Sequence, residues 1–208
     1  MPELHVLRVF VDDRGAAGNH LGVMLDAGEI DTVARQQIAA ELAYSETVFV
    51  EGGDRLQIFT PTTELPFAGH PLVGAAWLLD RPVLRPPAGP VATRSEPPFT
   101  WVLARPEFCP PWEVRREESP GAVEALAAPE AGHVLHWAFV DEPAGTVRAR
   151  VFAPDFGVAE DPATGSAAIV LCAALGRSLE IRQGAGSEIR VRPHADGGVE
   201  LGGRVSRA

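Results

Sequence analysis

The sequence predicts an α+β protein of two pseudo-symmetric halves, each a set of strands wrapped about one very apolar helix. Three observations point there. A strand-like segment ending in Phe-X-Pro occurs twice, as Ile58-Phe59-Thr60-Pro61 and as Val151-Phe152-Ala153-Pro154. Each is followed by a glycine that opens an apolar run, Gly69-His70-Pro71-Leu72-Val73-Gly74-Ala75-Ala76-Trp77 in one case and Gly165-Ser166-Ala167-Ala168-Ile169-Val170-Leu171 in the other. A helix that is apolar on all sides belongs in an interior. The remaining chain consists of short Val-, Leu- and Phe-rich segments between Gly and Pro turns, without the one-to-one alternation of strand and helix that marks βαβ units. A length of 208 residues suits two units of about 100 each, and the halves are set at 1–105 and 106–208.

Taken in order, Leu4 to Val11 alternates and reads as a strand closed by the turn Asp12-Asp13-Arg14-Gly15. Gly18-Asn19 makes a tight turn into a second strand ending near Leu25. Asp31 suits the N-cap of a helix to about Leu42. Ser45 to Val50 and Leu56 to Phe59 return to strand character. The first core helix ends near Asp80, because Pro82, Pro86 and Pro87 cannot continue it. The Pro and Gly density between Arg81 and Pro98 reads as a surface connection, and Phe99 to Ala104 as the last strand of the first half. Residues 106–120 read as irregular and charged, and Gly121 to Ala128 as a short helix. Val134 to Val140 and Thr146 to Phe152 form a strand pair around Asp141-Glu142-Pro143-Ala144-Gly145. The second core helix runs from Gly165 to about Gly176, and Leu179 to Arg182, Glu188 to Arg192 and Val199 to Val205 follow as strands.

Composition excludes several classes of partner. Lys plus Arg total 18, all of them Arg, against 28 acidic residues, for a net charge of −10, which disfavours binding to nucleic acid or to an anionic membrane. Cys109 and Cys172 lie far apart without metal-ligand spacing, as expected of a reduced compartment. The start Met1-Pro2-Glu3-Leu4-His5-Val6 has no basic segment followed by an apolar one, and no apolar run approaches the ~20 residues of a membrane span. A soluble, cytoplasmic protein is expected.

The two glycine-led helix starts carry the chemistry. The first N–H groups of a helix have no intrahelical partners and sit at the positive end of its dipole, so a glycine there lets an anion approach. Two such cradles facing each other can grip a small carboxylate. His70 and Ser166 stand in equivalent places just after the glycines, where a purely structural turn needs no polar side chain; simple helix capping, which Ser does well and His poorly, is the plainer alternative. Glu46 sits where a helix gives way to an apolar strand, so burial can raise its pKa into the range of a proton carrier. An isolated Glu at a strand start is more often solvated, but Asp161 offers a second carboxylate ahead of the second cradle. No Gly-X-Ser-X-Gly elbow is present. The pair His133 and His136 points to opposite faces of a strand, so a metal site is not expected. Neither cysteine lies at a helix start, where a thiolate is favoured.

In sequence order, Gly18-Asn19, Ser45-Glu46-Thr47, Phe59-Thr60-Pro61 with Glu64-Leu65-Pro66-Phe67-Ala68-Gly69-His70-Pro71, and Asp161-Pro162-Ala163-Thr164-Gly165-Ser166-Ala167-Ala168 resemble the motifs of the PhzF-like phenazine biosynthesis family, and Gln183-Gly184 and Val199-Glu200-Leu201-Gly202-Gly203 fit its C-terminal end. The resemblance implies a diaminopimelate epimerase-like fold, each half a β-barrel-like sheet around a central helix, with the active site between the halves. It further implies a cofactor-independent isomerase that shifts a proton on a small amino- or hydroxy-substituted carboxylic acid, cyclic or open-chain, with a homodimer as a candidate assembly. By carry-over Glu46 and Asp161 are the catalytic carboxylates, and Gly18, Asn19, Gly69, His70, Gly165 and Ser166 hold the substrate. No cysteine precedes Gly69 or Gly165, so the two-thiol racemisation of the epimerases is not expected. A catalytically degenerate carboxylate-binding protein on the same scaffold is the alternative. The chain departs from the family pattern at His20, which replaces a proline, in a shortened middle, and in the segment Ala185-Gly186-Ser187.

Overall fold

The same run of pairings occurs twice along the chain. In the computed structural model, which describes residues 2–208, an opening strand β1 (Glu3–Val11) is followed by β2 (Asn19–Leu25), α1 (Thr32–Leu42), β3 (Glu46–Glu51), β4 (Arg55–Phe59), β5 (Glu64–Leu65), α2 (Gly69–Leu79), β6 (Val83–Leu84), β7 (Val91–Glu96) and β8 (Phe99–Ala104). Then come β9 (Glu113–Arg116), α3 (Pro120–Glu124), β10 (Val134–Asp141), β11 (Thr146–Ala153), β12 (Val158–Asp161), α4 (Gly165–Leu175), β13 (Leu179–Gln183), β14 (Ser187–Pro193) and β15 (Val199–Arg207). Strand β2 runs parallel to β3, and β3–β4–β5 are antiparallel. Likewise β9 runs parallel to β10, and β10–β11–β12 are antiparallel. A core helix follows in each case, and after it a parallel return: a bridge between Arg55 and Arg85 in the first half, β13 beside β11 in the second.

Register makes the duplication residue-specific. Thr47 pairs with Phe59 and Ile58 with Leu65 in the first half; Val134 pairs with Phe152 and Val151 with Asp161 in the second. Phe59 and Phe152 both open the Phe-X-Pro ends, where proline lacks the N–H that would continue a ladder. By register from them, Glu46 matches His133 and Leu65 matches Asp161, and the same step on from Leu65 and Asp161 matches Gly69 with Gly165 and His70 with Ser166. The halves are joined by β15, whose first part pairs with β8 and whose end pairs with β1.

Helices α2 and α4 have 11 residues each, a length at which an isolated helix is marginal in water. Packing therefore supplies their stability. Leu72, Val73, Ile169 and Leu171 are completely buried, and burying each such side chain contributes about 1.5–3 kcal/mol. Gly74 lets α2 approach the β1–β2 hairpin: a Cβ there would lie 2.5 Å from Leu21 Cδ2 and 2.9 Å from Val9 Cγ2. Asp31 caps α1 as expected, its carboxylate accepting from the Ala34 N–H at 2.9 Å.

Four expectations require correction. The stretch from Arg81 to Pro98 is not a plain connection but contains β6 and β7; their mixed, largely polar sequence shows no alternation, yet β7 pairs backbone to backbone with β8 from Ala92–Leu103 to Glu96–Phe99. Residues 106–120 contain the charged strand β9. Helix α3 ends at Glu124, short of Ala128. Strand β12 occupies Val158–Asp161, just ahead of the second core helix, where no strand is expected from the sequence. Helix α3 has 5 residues where its counterpart α1 has 11.

Candidate active site

The mouths of α2 and α4 meet. A Cβ on Gly69 would lie 2.8 Å from the Cα and carbonyl carbon of Gly165, and one on Gly165 would lie 2.9 Å from Gly69 Cα and 3.0 Å from His70 N. Leu201 closes the other side, 2.8 Å from both added atoms. Only glycine permits this approach. Neither helix is capped by a side chain: the N-caps are Ala68 and Thr164, and no cap hydrogen bond is made at either. His70 and Ser166 are the second residues of their helices, which removes capping as the explanation for them. Two uncapped N-termini, each equivalent to about half a positive charge, therefore lie head to head, an arrangement that an anion stabilises.

Glu46 begins β3 and faces His70. Its side chain is 16 % exposed and that of His70 4 %, with Oε2 and Nδ1 3.4 Å apart. The pair is close but not aligned as a hydrogen bond, and Glu46 Oε2 and His70 Nε2, both sealed from solvent, have no hydrogen-bond partner among the described residues. Burial, reinforced by the charge of Asp161, holds the Glu46 carboxyl well above its ordinary value. Burial lowers the His70 imidazole to about 3, the nearby His20 backbone opposing it only in part. The two shifts point the same way, toward a carboxyl that holds its proton more tightly than usual beside a neutral ring and away from an ion pair.

Asp161 is the opposite case. It accepts from Thr164 Oγ1 at 2.6 Å, from Asn19 Nδ2 at 2.8 Å and from the Ala163 N–H at 3.3 Å. Burial raises its carboxyl, while these hydrogen bonds work to lower it. Gln183, fully buried, braces the turn: its Nε2 donates to the Asp161 carbonyl at 2.8 Å and to Thr164 Oγ1 at 2.9 Å, and its Oε1 accepts from the Thr164 N–H at 3.2 Å. Asn19 spans the halves, its Oδ1 accepting from Ser45 Oγ at 3.0 Å. The N–H of Gly18 donates to Ser187 Oγ at 3.0 Å, so the shortened Ala185-Gly186-Ser187 segment still closes on the first turn. His20 pairs with Arg8 in the β1–β2 ladder and stacks on Tyr44 at 6.0 Å.

Glu46, His70, Gly69, Gly165, Ser166 and Asp161 are thus gathered around the meeting of two helices, with Asn19 and Gly18 engaged by scaffold partners. Sequence reasoning assigned no role to Thr164, Gln183, Ser187 or Trp112, whose indole Nε1 donates to Ser166 Oγ at 3.0 Å. Only the Gln183-Gly184 pair carried a signal, through the C-terminal motif. Histidines 133 and 136 go to separate partners: His133 stacks on Phe156, and His136 meets Glu117 at 2.7 Å. Burial pushes both thiols, Cys109 and Cys172, up to about 12, with Glu107 adding to the effect at Cys109. Two surface hollows, one beside Trp77 and Arg94 and one beside Val33 and Phe59, contain none of the site residues. No described helix is long and apolar enough to cross a membrane.

The fold and this meeting of paired helices define an isomerase of PhzF type, and comparison with known proteins agrees. The chain belongs to the phenazine biosynthesis-like protein family (PhzC-PhzF), whose sequence model matches residues 7–87 and 118–195. It is 35 % identical to a trans-2,3-dihydro-3-hydroxyanthranilate isomerase of Pseudomonas aeruginosa, over 91 % of this chain and 83 % of that one. Among solved structures it is similar to a predicted epimerase of Pseudomonas aeruginosa, with a TM-score of 0.76 and 26 % identity over 100 % of this chain and 97 % of that one. A hydroxyproline epimerase of Agrobacterium vitis shares the fold, with a TM-score of 0.61 and 12 % identity over 100 % and 89 % of the two chains.

Proposed function

We propose that this isomerase shifts a proton within a small amino- or hydroxy-substituted, cyclic carboxylic acid without a cofactor, using Glu46 as the proton carrier at a site between halves divided near residue 105. The observation that carries the reading is Glu46 Oε2: a carboxyl oxygen sealed from solvent, unpartnered among the described residues, 3.4 Å from a neutral His70 and with its pKa raised by burial. A buried polar atom without a partner is destabilising unless something else meets it, and a substrate atom brought against it does so. Glu46 gives its proton to one carbon of the substrate and takes a proton from another. The glutamic acid is regenerated, one C–H bond forms as another breaks, and no electron acceptor enters the balance.

The other residues follow from charge and geometry. The N–H groups at Gly69 and Gly165 receive the substrate carboxylate between two positive helix ends. Asp161, fixed by Thr164, Asn19 and Ala163, adds its negative charge to the burial that raises the Glu46 carboxyl and can accept from a substrate amino group. His70 and Ser166 orient the ring. Gly18 and Asn19 frame the slot through Ser187, Ser45 and Asp161.

The test is deuterium incorporation from heavy water into trans-2,3-dihydro-3-hydroxyanthranilate and related cyclic amino acids, followed by mass spectrometry. The wild type introduces one deuterium per turnover, and Glu46→Gln introduces none while still being stabilised against heat by the same compounds. Equal incorporation by both proteins refutes the role of Glu46. Stabilisation of the wild type without any exchange identifies the protein as a carboxylate-binding relative that has lost catalysis.

A further inference from the structure

We infer that Trp112 is a positioning residue of this site, fixing Ser166 as a hydrogen-bond donor to an oxygen of the substrate; the inference rests on the proton-shift reading above. An indole N–H can only donate, so the 3.0 Å contact has one direction: Trp112 gives and Ser166 Oγ accepts. A serine hydroxyl also carries one hydrogen, and in a helix it commonly turns that hydrogen back to a carbonyl one turn earlier. No such bond, and no other acceptor for the Ser166 hydroxyl, occurs among the described residues. With one lone pair occupied from the Trp112 side, the O–H of Ser166 is left for a group that enters between the helix mouths. That group must accept, as a carboxylate or hydroxyl oxygen does.

The indole is itself held in place. His133 meets it edge-on at 5.7 Å and Phe156 at 5.8 Å, and His133 and Phe156 stack on each other at 4.9 Å. Phe156 is 44 % exposed, an apolar ring left at the surface beside a polar site. Strand register gives the arrangement its meaning. Leu21 pairs with Glu46 in the first half, and Glu113 pairs with Val134 in the second, which puts Trp112 in the place of Leu21 and His133 in that of Glu46. Where the first half has a plain core leucine beneath a proton-carrying acid, the second has a donor ring and an aromatic support directed at the helix start.

The test is a cycle of Trp112→Phe, Ser166→Ala and the double variant, with KM and kcat read from the exchange reaction and Kd for anthranilate read by calorimetry. Trp112→Phe keeps a ring and loses the donor. It is expected to raise KM and Kd about 3- to 10-fold, the range set by one neutral hydrogen bond, with kcat within about twofold. In the Ser166→Ala background the same change is expected to add nothing. Unchanged constants for Trp112→Phe, or penalties that multiply in the double variant, overturn the inference. A second measurement needs no Trp112 variant: of the four indole N–H signals in a nitrogen-15 spectrum, Ser166→Ala displaces one, and anthranilate displaces the same one in the wild type. Absence of either displacement overturns the inference. Exchange by the wild type with a neutral Trp112→Phe result removes Trp112 alone, whereas anthranilate binding with the expected cycle but no exchange removes only the proton-shift reading. A wild type that does not bind anthranilate removes both.

Discussion

The two halves of the molecule share a scaffold and differ in chemistry. Both present an uncapped, glycine-led helix to the same point, and Gly69 and Gly165 face each other with the same intolerance of a side chain. Their carboxylates do not correspond. Glu46 stands where the second half has His133, and Asp161 stands where the first half has Leu65. One acid has a buried oxygen with no partner, and the other is held by three donors. Duplication therefore accounts for the paired helix starts, and divergence for one carboxyl oxygen left without a partner and one carboxylate held by donors; the proposed division into proton carrier and fixed charge rests on that difference. A thiol before each glycine would have kept the chemistry symmetric; here those places hold Ala68 and Thr164, and Thr164 serves Asp161.

The largest effect that tests this division is on turnover. Glu46→Gln is expected to lower deuterium exchange by about 10²- to 10⁴-fold, the usual contribution of a positioned acid or base, with Kd for anthranilate little changed. Next comes stability in acid, which separates His70 from its counterpart Ser166. The folded His70 pKa of about 3 lies below the ordinary 6.5, so between those values the unfolded chain binds the proton and the folded one does not. Stability is lost as pH falls through that window. Chemical denaturation from pH 7 to pH 3 is expected to show a loss smaller in His70→Gln than in the wild type by on the order of a few kcal/mol, and unaltered in Ser166→Ala. Gly69→Ala and Gly165→Ala should each destabilise by about 1–3 kcal/mol through overpacking, measured as a fall in Tm of about 2–4 °C per kcal/mol. Unequal losses would break the symmetry of the cradle.

The symmetric part of the molecule was legible in the sequence and the asymmetric part only partly so. The Phe-X-Pro ends, the glycine starts and the apolar runs are local patterns, and they located α2, α4 and the strands before them. Motif order brought out Glu46, His70, Asp161 and Ser166, and the fold gathers these four. Strands β7 and β9 escaped because their pairing is made by backbone groups, while their side chains are largely polar and face solvent; an edge strand such as Glu113–Arg116 carries no period of its own. Trp112 escaped for a different reason. It lies 54 residues from Ser166 between prolines and charged residues, and only the parallel pairing of β9 with β10 shows that it occupies the place of a core residue. Gln183 was noted as part of a motif, but its bracing of Asp161 depends on β13 returning beside β11.

The last test concerns the link between the two acids and yields a displacement rather than a loss. Glu46 is raised first by burial and second by the negative charge of Asp161, so Asp161→Asn removes the second cause and leaves the first. The Glu46 carboxyl then falls toward its ordinary value without reaching it. Activity that requires the protonated acid is lost as pH rises through the Glu46 pKa, and the alkaline limb of the kcat/KM profile is therefore expected to move to lower pH in Asp161→Asn. The acid hydrogen-bonded to Asn19 and Thr164 is replaced by an amide of nearly the same shape, so the cradle itself persists and anthranilate binding reports on it separately. A limb that stays in place with binding intact would mean that the two carboxylates act independently. A limb that moves to higher pH would contradict the coupling outright, because removing a neighbouring negative charge can only lower the Glu46 pKa.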